Sequence, residues 1–390
     1  MTTPSPATID AEQLEEIRDG IRQLCARYDG TYWQQLEPET YPAEFVDALT
    51  EAGWLAALIP EQYGGSGLPL SAASVILEEI ARSGGNPGAC HAQMYVMGTL
   101  LRHGSEAQKE RWLPEIAAGR LRLQAFGVTE PDAGSDTTRI RTTARRDGDG
   151  WVVDGQKIWT SRAEHSDLMV LLARTTPIGE VSKRGEGLSV FLVDMRDRGD
   201  ELEIRPIKTM MNHSTTEVFI NGLRLPGDAL IGEAGKGFRH ILDGMNAERC
   251  LIAAECIGDG RWFVERASRY AGEREVFGRP IGANQGIQFP IARAHMAIEA
   301  ADLMRWKAIG LYEAGRPCGA EANMAKYLAA EASWMAANAC VDTHGGLGFA
   351  AEYDVERKFR ETRLYQVAPI SNNMILAFVG QNVLKMPRSY

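Results

Sequence analysis

Thirteen consecutive residues, Gln124-Ala125-Phe126-Gly127-Val128-Thr129-Glu130-Pro131-Asp132-Ala133-Gly134-Ser135-Asp136, have the residue types of a binding loop. The apolar run through Val128 enters as an extended element. Pro131 and Gly134 then force a turn, and the short side chains of Thr129, Ser135 and Asp136 leave backbone N–H groups uncovered. Such donors suit a phosphate or the edge of a flavin ring; an ordinary surface turn before a strand has the same composition. Arg274-Glu275-Val276-Phe277-Gly278-Arg279-Pro280-Ile281 is a Gly- and Pro-bounded loop with an arginine, whose planar fork can grip a pyrophosphate. His344-Gly345-Gly346-Leu347-Gly348-Phe349 has glycines that let a backbone come close. Lys157-Ile158-Trp159-Thr160-Ser161 sets an indole beside hydroxyls, and Asn246-Ala247-Glu248-Arg249 sets a carboxylate beside a guanidinium. Plain core for Trp159, a surface carboxylate for Glu248 and a solvated charge for Arg274 are the alternatives.

Helices must carry the first and last of these groups. Leu14, Ile17, Ile21 and Leu24 recur at helical spacing, a second helix follows from Pro42 to Ala52, and two more cover Leu70 to Arg82 and Cys90 to Arg102 around the breaker Ser83–Gly88. Gln108 to Ile116 is a further amphipathic turn with Trp112 and Leu113 inward. From Thr138 to about Gly232 short apolar runs cut by turn residues predict strands, with Asp147–Gly150 turn chemistry in a hairpin and buried strands at Leu168–Ala173, Leu188–Val193 and Glu217–Ile220. A small β-barrel or sandwich closes such a segment. Long helical periods at Gly237–Tyr270, Gln285–Ala314, Cys318–Asp342 and from about Glu352 to the end suggest a four-helix bundle. The chain thus reads as α+β with three domains: 1–123 helical, 124–234 β, and 235–390 a helical bundle.

A chain of 390 residues has room for two or three subdomains, and 44% hydrophobic with 24% charged residues is ordinary for a globular enzyme. The net charge of −10 argues against a nucleic-acid binder, so an anionic ligand needs local arginines. Six cysteines without a C-x-x-C pair fit reduced thiols and no metal site, and the expected location is cytoplasmic. Met1–Pro6 has neither the charge nor the apolar run of a secretion signal, Arg388-Ser389-Tyr390 is unlike the peroxisomal tripeptide, and no run reaches the ~18 apolar residues of a membrane span.

In order, these motifs resemble the acyl-CoA dehydrogenase family over nearly the whole chain. The Thr129–Asp136 run resembles the family's T-E-P-x-A-G-S-D signature, which wraps the flavin and the pantetheine end of coenzyme A. The resemblance implies FAD contacts from Phe126, Val128, Thr129 and Ser135, with Ser135 also on substrate. Trp159 and Ser161 inherit positions at the flavin ring. Arg274, Phe277 and Gln285, with Asp342, Gly345 and Gly346, inherit contacts to the FAD of a neighbouring subunit, which implies a homo-oligomer, tetramer or dimer. Asp342 stands where the family usually has glutamine. Met94, Tyr95, Met97 and Gly98 fall on the helix that lies over the acyl tunnel; core packing is their other reading.

Removing a proton next to a thioester requires a carboxylate with a raised pKa. Most family members place it in a Y-E-G-T run, but Tyr365-Gln366-Val367-Ala368-Pro369-Ile370-Ser371-Asn372-Asn373 has Pro369 there. The isovaleryl-CoA and long-chain branches place the glutamate directly before an arginine on another helix, which selects Glu248, with Asn246 and Arg249 beside the substrate. Ser371 and Asn373 take the positions of two FAD contacts. Proline has no N–H, so the usual thioester-oxygen donor is missing: Ile370 replaces it through a shifted turn, a ribityl hydroxyl acts with little help, or the chemistry differs. The implied activity is α,β-dehydrogenation of an acyl-CoA in fatty acid β-oxidation, with electrons passed to electron-transferring flavoprotein. A flavin monooxygenase or oxidase of this fold and a half-active FAD scaffold are the alternatives.

Overall fold

The computed structural model describes residues 9–197 and 199–388, so the expectations for Met1–Pro6, Ser389 and Tyr390 lie outside the described residues. Helix α1 (Ala11–Cys25) begins at Asp10, whose carboxylate accepts from the Gln13 N–H while Gln13 returns a bond to the Asp10 N–H. It buries Ile17, Ile21 and Leu24, as their spacing requires. Helices α2 (Gly30–Gln35), α3 (Ala43–Glu51), α4 (Leu70–Arg82), α5 (Gly88–His103) and α6 (Glu106–Ala117) follow. Leu113 of α6 is fully buried and Trp112 half-buried.

Strands β1 (Leu123–Gly127), β2 (Thr143–Asp147), β3 (Gly150–Ser161), β4 (Leu168–Arg174), β5 (Leu188–Asp194), β6 (Leu202–Pro206), β7 (Thr215–Leu225) and β8 (Leu230–Ile231) form one sheet. Its order is β6-β7-β3-β2-β4-β5-β8, with β1 parallel to β4. The continuous apolar runs of β4 and β5 are explained by two covered faces. Leu168, Val170 and Leu172 of β4 and Val190 and Leu192 of β5 join Val96, Met97, Leu100, Leu113 and Ile116 of α5 and α6 in one core. The alternate residues Met169, Leu171, Phe191 and Val193 join Trp151, Val153, Val218 and Ile220 in a second core on the opposite face.

Helix α7 (Gly237–Glu273) leads to a small hairpin, β9 (Glu275–Val276) and β10 (Arg279–Pro280), then α8 (Gln285–Glu313) and α9 (Gly319–His344). Among the described residues the expected fourth long helix is interrupted: α10 (Val355–Thr362) and α11 (Asn372–Phe378) flank a break at Arg363–Ser371. Pro369 lacks an N–H, and its ring disfavours helical backbone at Ala368, so the apolar period from about Glu352 crosses a turn.

The chain packs into two compact units, each discontinuous in sequence. One holds Pro38–Gly67 and Gly88–Met245, and thus α3, α5, α6 and the eight-stranded sheet. The other holds the residues up to Glu37, Leu68–Pro87 and Asn246 onward, so α1 and α4 belong with α8 and α9. Within this unit buried alanines of α9, among them Ala322, Ala325, Ala329 and Ala336, let α8 approach closely. Glu78 of α4, wholly buried, accepts from Arg18 at 3.3 Å and from Arg261, and forms an ion pair with Arg305 at 2.8 Å. Although burial pushes its carboxyl up, these three arginines hold it down at about 2.

Candidate active site

In the sheet unit the loop after β1 is bolted from inside. Glu130 accepts from the Arg141 N–H at 2.6 Å, the Thr142 N–H at 2.9 Å and Lys157 Nζ at 2.8 Å. Lys157, fully buried on β3, also donates to the Val128 carbonyl at 3.2 Å. Burial depresses the Lys157 ammonium to about 8 against the opposing charge of Glu130. The Glu130 carboxyl, pushed up by burial, is drawn below its ordinary range by Lys157 and the two N–H donors. Glu130 and Ala133 exchange backbone bonds of 3.3 and 3.0 Å, closing a tight turn. Beyond it Gly134, Ser135 and Asp136 are exposed, and among the described residues none of their N–H groups has a protein acceptor. Thr129 is half-buried and its carbonyl accepts from the Ile158 N–H at 2.9 Å. Val128 is buried, and Phe126 meets Tyr95 edge to face at 5.2 Å.

Trp159 is displayed by a bulge. The β3–β7 register shifts between Ile158 and Thr160, Trp159 has φ 62°, and its side chain is 57% exposed. A left-handed tryptophan is an outlier of the kind that collects at functional sites. Ser161 is half-buried, its Oγ 3.4 Å from Thr215 Oγ1 across the strand pair. On α5, Met94 and Met97 are core residues while Tyr95 is half-buried, and a Cβ at Gly98 would lie 3.0 Å from Arg102 Nη2.

In the helical unit Glu248 lies on α7 and is only 7% exposed. Arg249 Nη1 donates to Asn246 Oδ1 at 3.3 Å, while its buried Nε has no acceptor among the described residues. Burial lowers the Arg249 guanidinium and the charge of Glu248 opposes that. The Tyr365–Asn372 turn is held to α9 by Lys326, Gln366 and Asn372: Gln366 Nε2 donates to the Ala330 carbonyl at 2.8 Å and Asn372 Nδ2 to Glu331 at 2.8 Å. Ser371 caps α11 and Asn373 is exposed. The Ala368–Pro369 peptide is cis.

The β9–β10 hairpin points its chemistry outward. Phe277 at the tip has φ 53° and is fully exposed, and Arg274 and Gln285 are exposed beside it. Gly345 follows α9 at φ 59°, which requires glycine; a Cβ at Gly346 would have no neighbour within 4 Å, so nothing in this chain demands glycine there. Asp342 is exposed on the last turn of α9. In the sheet unit the uncovered N–H groups after Ala133 and the displayed indole suit a flavin, and in the helical unit the exposed arginine and the open glycine turn suit a phosphate-bearing ligand.

Two anchors escaped the sequence reading, the Glu130–Lys157 pair and Lys326. Both lysines sit at inward positions of their elements, where a charge signals a buried partner. Among the described residues no cluster of His, Cys, Asp and Glu could hold a metal ion, and no helix is long and apolar enough to cross a membrane. All six cysteines are buried, and among the described residues none forms a disulfide.

Three family models match: acyl-CoA dehydrogenase N-terminal domain at residues 11–120, middle domain at 125–223 and C-terminal domain at 235–384. The chain is 36% identical over 387 residues to acyl-CoA dehydrogenase FadE12 of Mycobacterium tuberculosis, covering 98% of each. Among solved structures it is similar to glutaryl-coenzyme A dehydrogenase in complex with glutaryl-CoA, with TM-score 0.89, 30% identity and 98% of each chain covered. It is also similar to a chain described with the electron transferring flavoprotein of Acidaminococcus fermentans, with TM-score 0.90, 26% identity, and 97% of this chain and 100% of that one covered.

Proposed function

The chain belongs to the acyl-CoA dehydrogenase family, and on that premise we propose that Glu248 is its catalytic base. The protein is an FAD-dependent oxidoreductase that converts an acyl-CoA thioester to the trans-2-enoyl-CoA. FAD, when bound, accepts the hydride released from the β carbon. Glu248 takes the α proton, so the electron pair of that C–H bond becomes the new double bond. The observation that carries this assignment is a buried carboxylate on α7 in a chain whose residue 369 is proline.

In the sheet unit the exposed loop at Gly134–Asp136 with Phe126, Val128, Thr129, Trp159 and Ser161 contacts the FAD of its own subunit; in the helical unit Ser371 and Asn373 take the positions of two family FAD contacts. Ser135, Asn246 and Arg249 hold the thioester and its coenzyme A arm; the unmatched Nε of Arg249 supports a polar ligand beside it. Arg274, Phe277, Gln285, Asp342, Gly345 and Gly346 serve the FAD of a second copy. A fully exposed Phe277 and the exposed row Phe289, Met296 and Leu303, seven residues apart on α8, support a homo-oligomer. Electron-transferring flavoprotein is the electron acceptor and the cytoplasm the location.

Anaerobic titration of the yellow protein with a panel of acyl-CoAs tests the reading, read as bleaching of the flavin. The wild-type protein bleaches and Glu248→Gln binds acyl-CoA without bleaching. Full bleaching by the variant removes Glu248 from the mechanism.

A further inference from the structure

Lys326 is the wholly buried lysine of α9, set among Ala322, Ala325, Ala329 and Ala330. Its ammonium has three donors and finds three acceptors: the Tyr365 carbonyl at 2.6 Å, the Ile370 carbonyl at 2.8 Å and Asn372 Oδ1 at 2.9 Å. These acceptors bracket the turn that separates α10 from α11. The same ammonium lies in the field of α7: Glu248 and Cys256 favour its charge and Arg249 opposes it, with Glu331 of its own helix also favourable. One side chain of α9 therefore holds the turn by three hydrogen bonds while it feels the charge of the proposed base.

The clamp fixes which way the turn's peptides face. Val367 and Ala368 both give their N–H groups to the Leu364 carbonyl. Ile370 and Ser371 do not: among the described residues neither N–H has a protein acceptor. In a trans peptide the C=O and N–H point in opposite directions. With its carbonyl drawn to Lys326, the Ile370–Ser371 peptide must direct the Ser371 N–H away from α9. Abstraction of a proton beside a thioester builds negative charge on the carbonyl oxygen, and donors about 2.7–3.1 Å from that oxygen stabilise it.

We propose that Lys326 is a positioning residue of the dehydrogenation site: by pinning the Tyr365 and Ile370 carbonyls it presents the N–H groups of Ile370 and Ser371 as donors to the thioester oxygen. Pro369 can give no such bond, and the two residues after it replace it. The proposal rests on Glu248 being the base, since that places the thioester on this side of the helical unit.

The experiment uses the FAD-loaded enzyme and 4-(dimethylamino)cinnamoyl-CoA, a chromophore whose absorption moves to the red as its thioester carbonyl is polarised. The wild-type protein shifts the band. Lys326→Met keeps its FAD, loses most of the shift, and is bleached by acyl-CoA about 100-fold more slowly, the scale of losing an oxyanion donor. Glu248→Gln keeps the shift and loses the bleaching. A full shift in Lys326→Met overturns the clamp, whereas wild-type bleaching in Glu248→Gln overturns the base and leaves the spectral result standing. Should Lys326→Met fail to fold, the wild-type enzyme serves. Burial depresses the ammonium to about 8, so raising the pH through that value removes one of three donors and weakens the shift. A shift that stays constant through the pH at which the Lys326 ammonium is independently found to lose its proton overturns the proposal.

Discussion

Replacing Lys157 by methionine isolates what holds the loop after β1. The substitution keeps the length of the side chain and removes the cation, leaving Glu130 buried with two backbone donors, the Arg141 and Thr142 N–H groups. Removing one partner of a buried pair costs about 3–5 kcal/mol, because the remaining charge is uncompensated. The two N–H bonds that survive place Lys157→Met near the lower end, about 3 kcal/mol. Urea unfolding of the FAD-free protein at pH 7 measures it, and the pH dependence identifies its cause. Without Lys157 the burial of Glu130 is opposed by no ion-paired cation, only by the field of Arg174 and the two N–H donors, and its folded pKa rises above the ordinary carboxylate value of about 4.3. A group raised on folding stabilises below its unfolded pKa and loses that contribution as pH rises through the folded value. The deficit of the variant therefore shrinks on acidification towards pH 4. Adding Glu130→Gln to the same chain recovers part of the loss, since no lone charge is then buried. A deficit under about 1 kcal/mol, or one independent of pH, would refute the reasoning. The loop consequence is separate: FAD affinity falls roughly tenfold, equivalent to about 1.4 kcal/mol, in an equilibrium binding assay.

Two further outcomes follow from single residues. Glu78, held at about 2 by Arg305, Arg261 and Arg18 against burial, has a folded pKa below its unfolded one; its contribution is complete above about 4.3 and is lost as pH falls towards 2. Glu78→Gln lowers stability by about 3 kcal/mol at pH 7, and acid titration of the two proteins must show the difference closing over that window. Trp159→Gly relieves a left-handed backbone worth roughly 1 kcal/mol, so the FAD-free protein melts no lower than wild type while FAD binds more weakly. A melting temperature that falls by several degrees places Trp159 in the core rather than at a ligand.

How far the sequence carried depends on what each element has to satisfy. Helix α1, the α4–α5 pair and strands β4 and β5 were legible because burial imposes a period on them: Ile17, Ile21 and Leu24 on one helical face, and a wholly apolar Leu168–Ala173 where both sheet faces are covered. The bulge in β3 was not. Trp151, Val153 and Lys157 are buried at odd positions and Thr160 at an even one, so the parity flips at Trp159. Alternation alone gives no sign of an inserted residue. The last quarter misled for the opposite reason: its apolar period continues through Tyr365–Ile370, and only Pro369 marks the break. Glu248 came from resemblance, while its burial came from the fold.

The residues proposed to recognise ligand and the residues that hold them differ in visibility. Ser135, Trp159, Arg274 and Phe277 are exposed, so nothing inside this chain constrains their type, and only a motif points to them. Each of the first two is steadied by a buried charge close by in sequence or space: Glu130 and Lys157 lock the turn before Ser135, and Lys157 stands two residues ahead of Trp159. Lys326 does the same for Ile370 and Ser371. A buried cation that binds carbonyls is costly unless every donor is matched, so it fixes one backbone geometry and penalises its neighbours steeply. Such an anchor suits a site whose ligands are met by backbone N–H groups, because a peptide plane, unlike a side chain, has no rotamer with which to correct an error of placement.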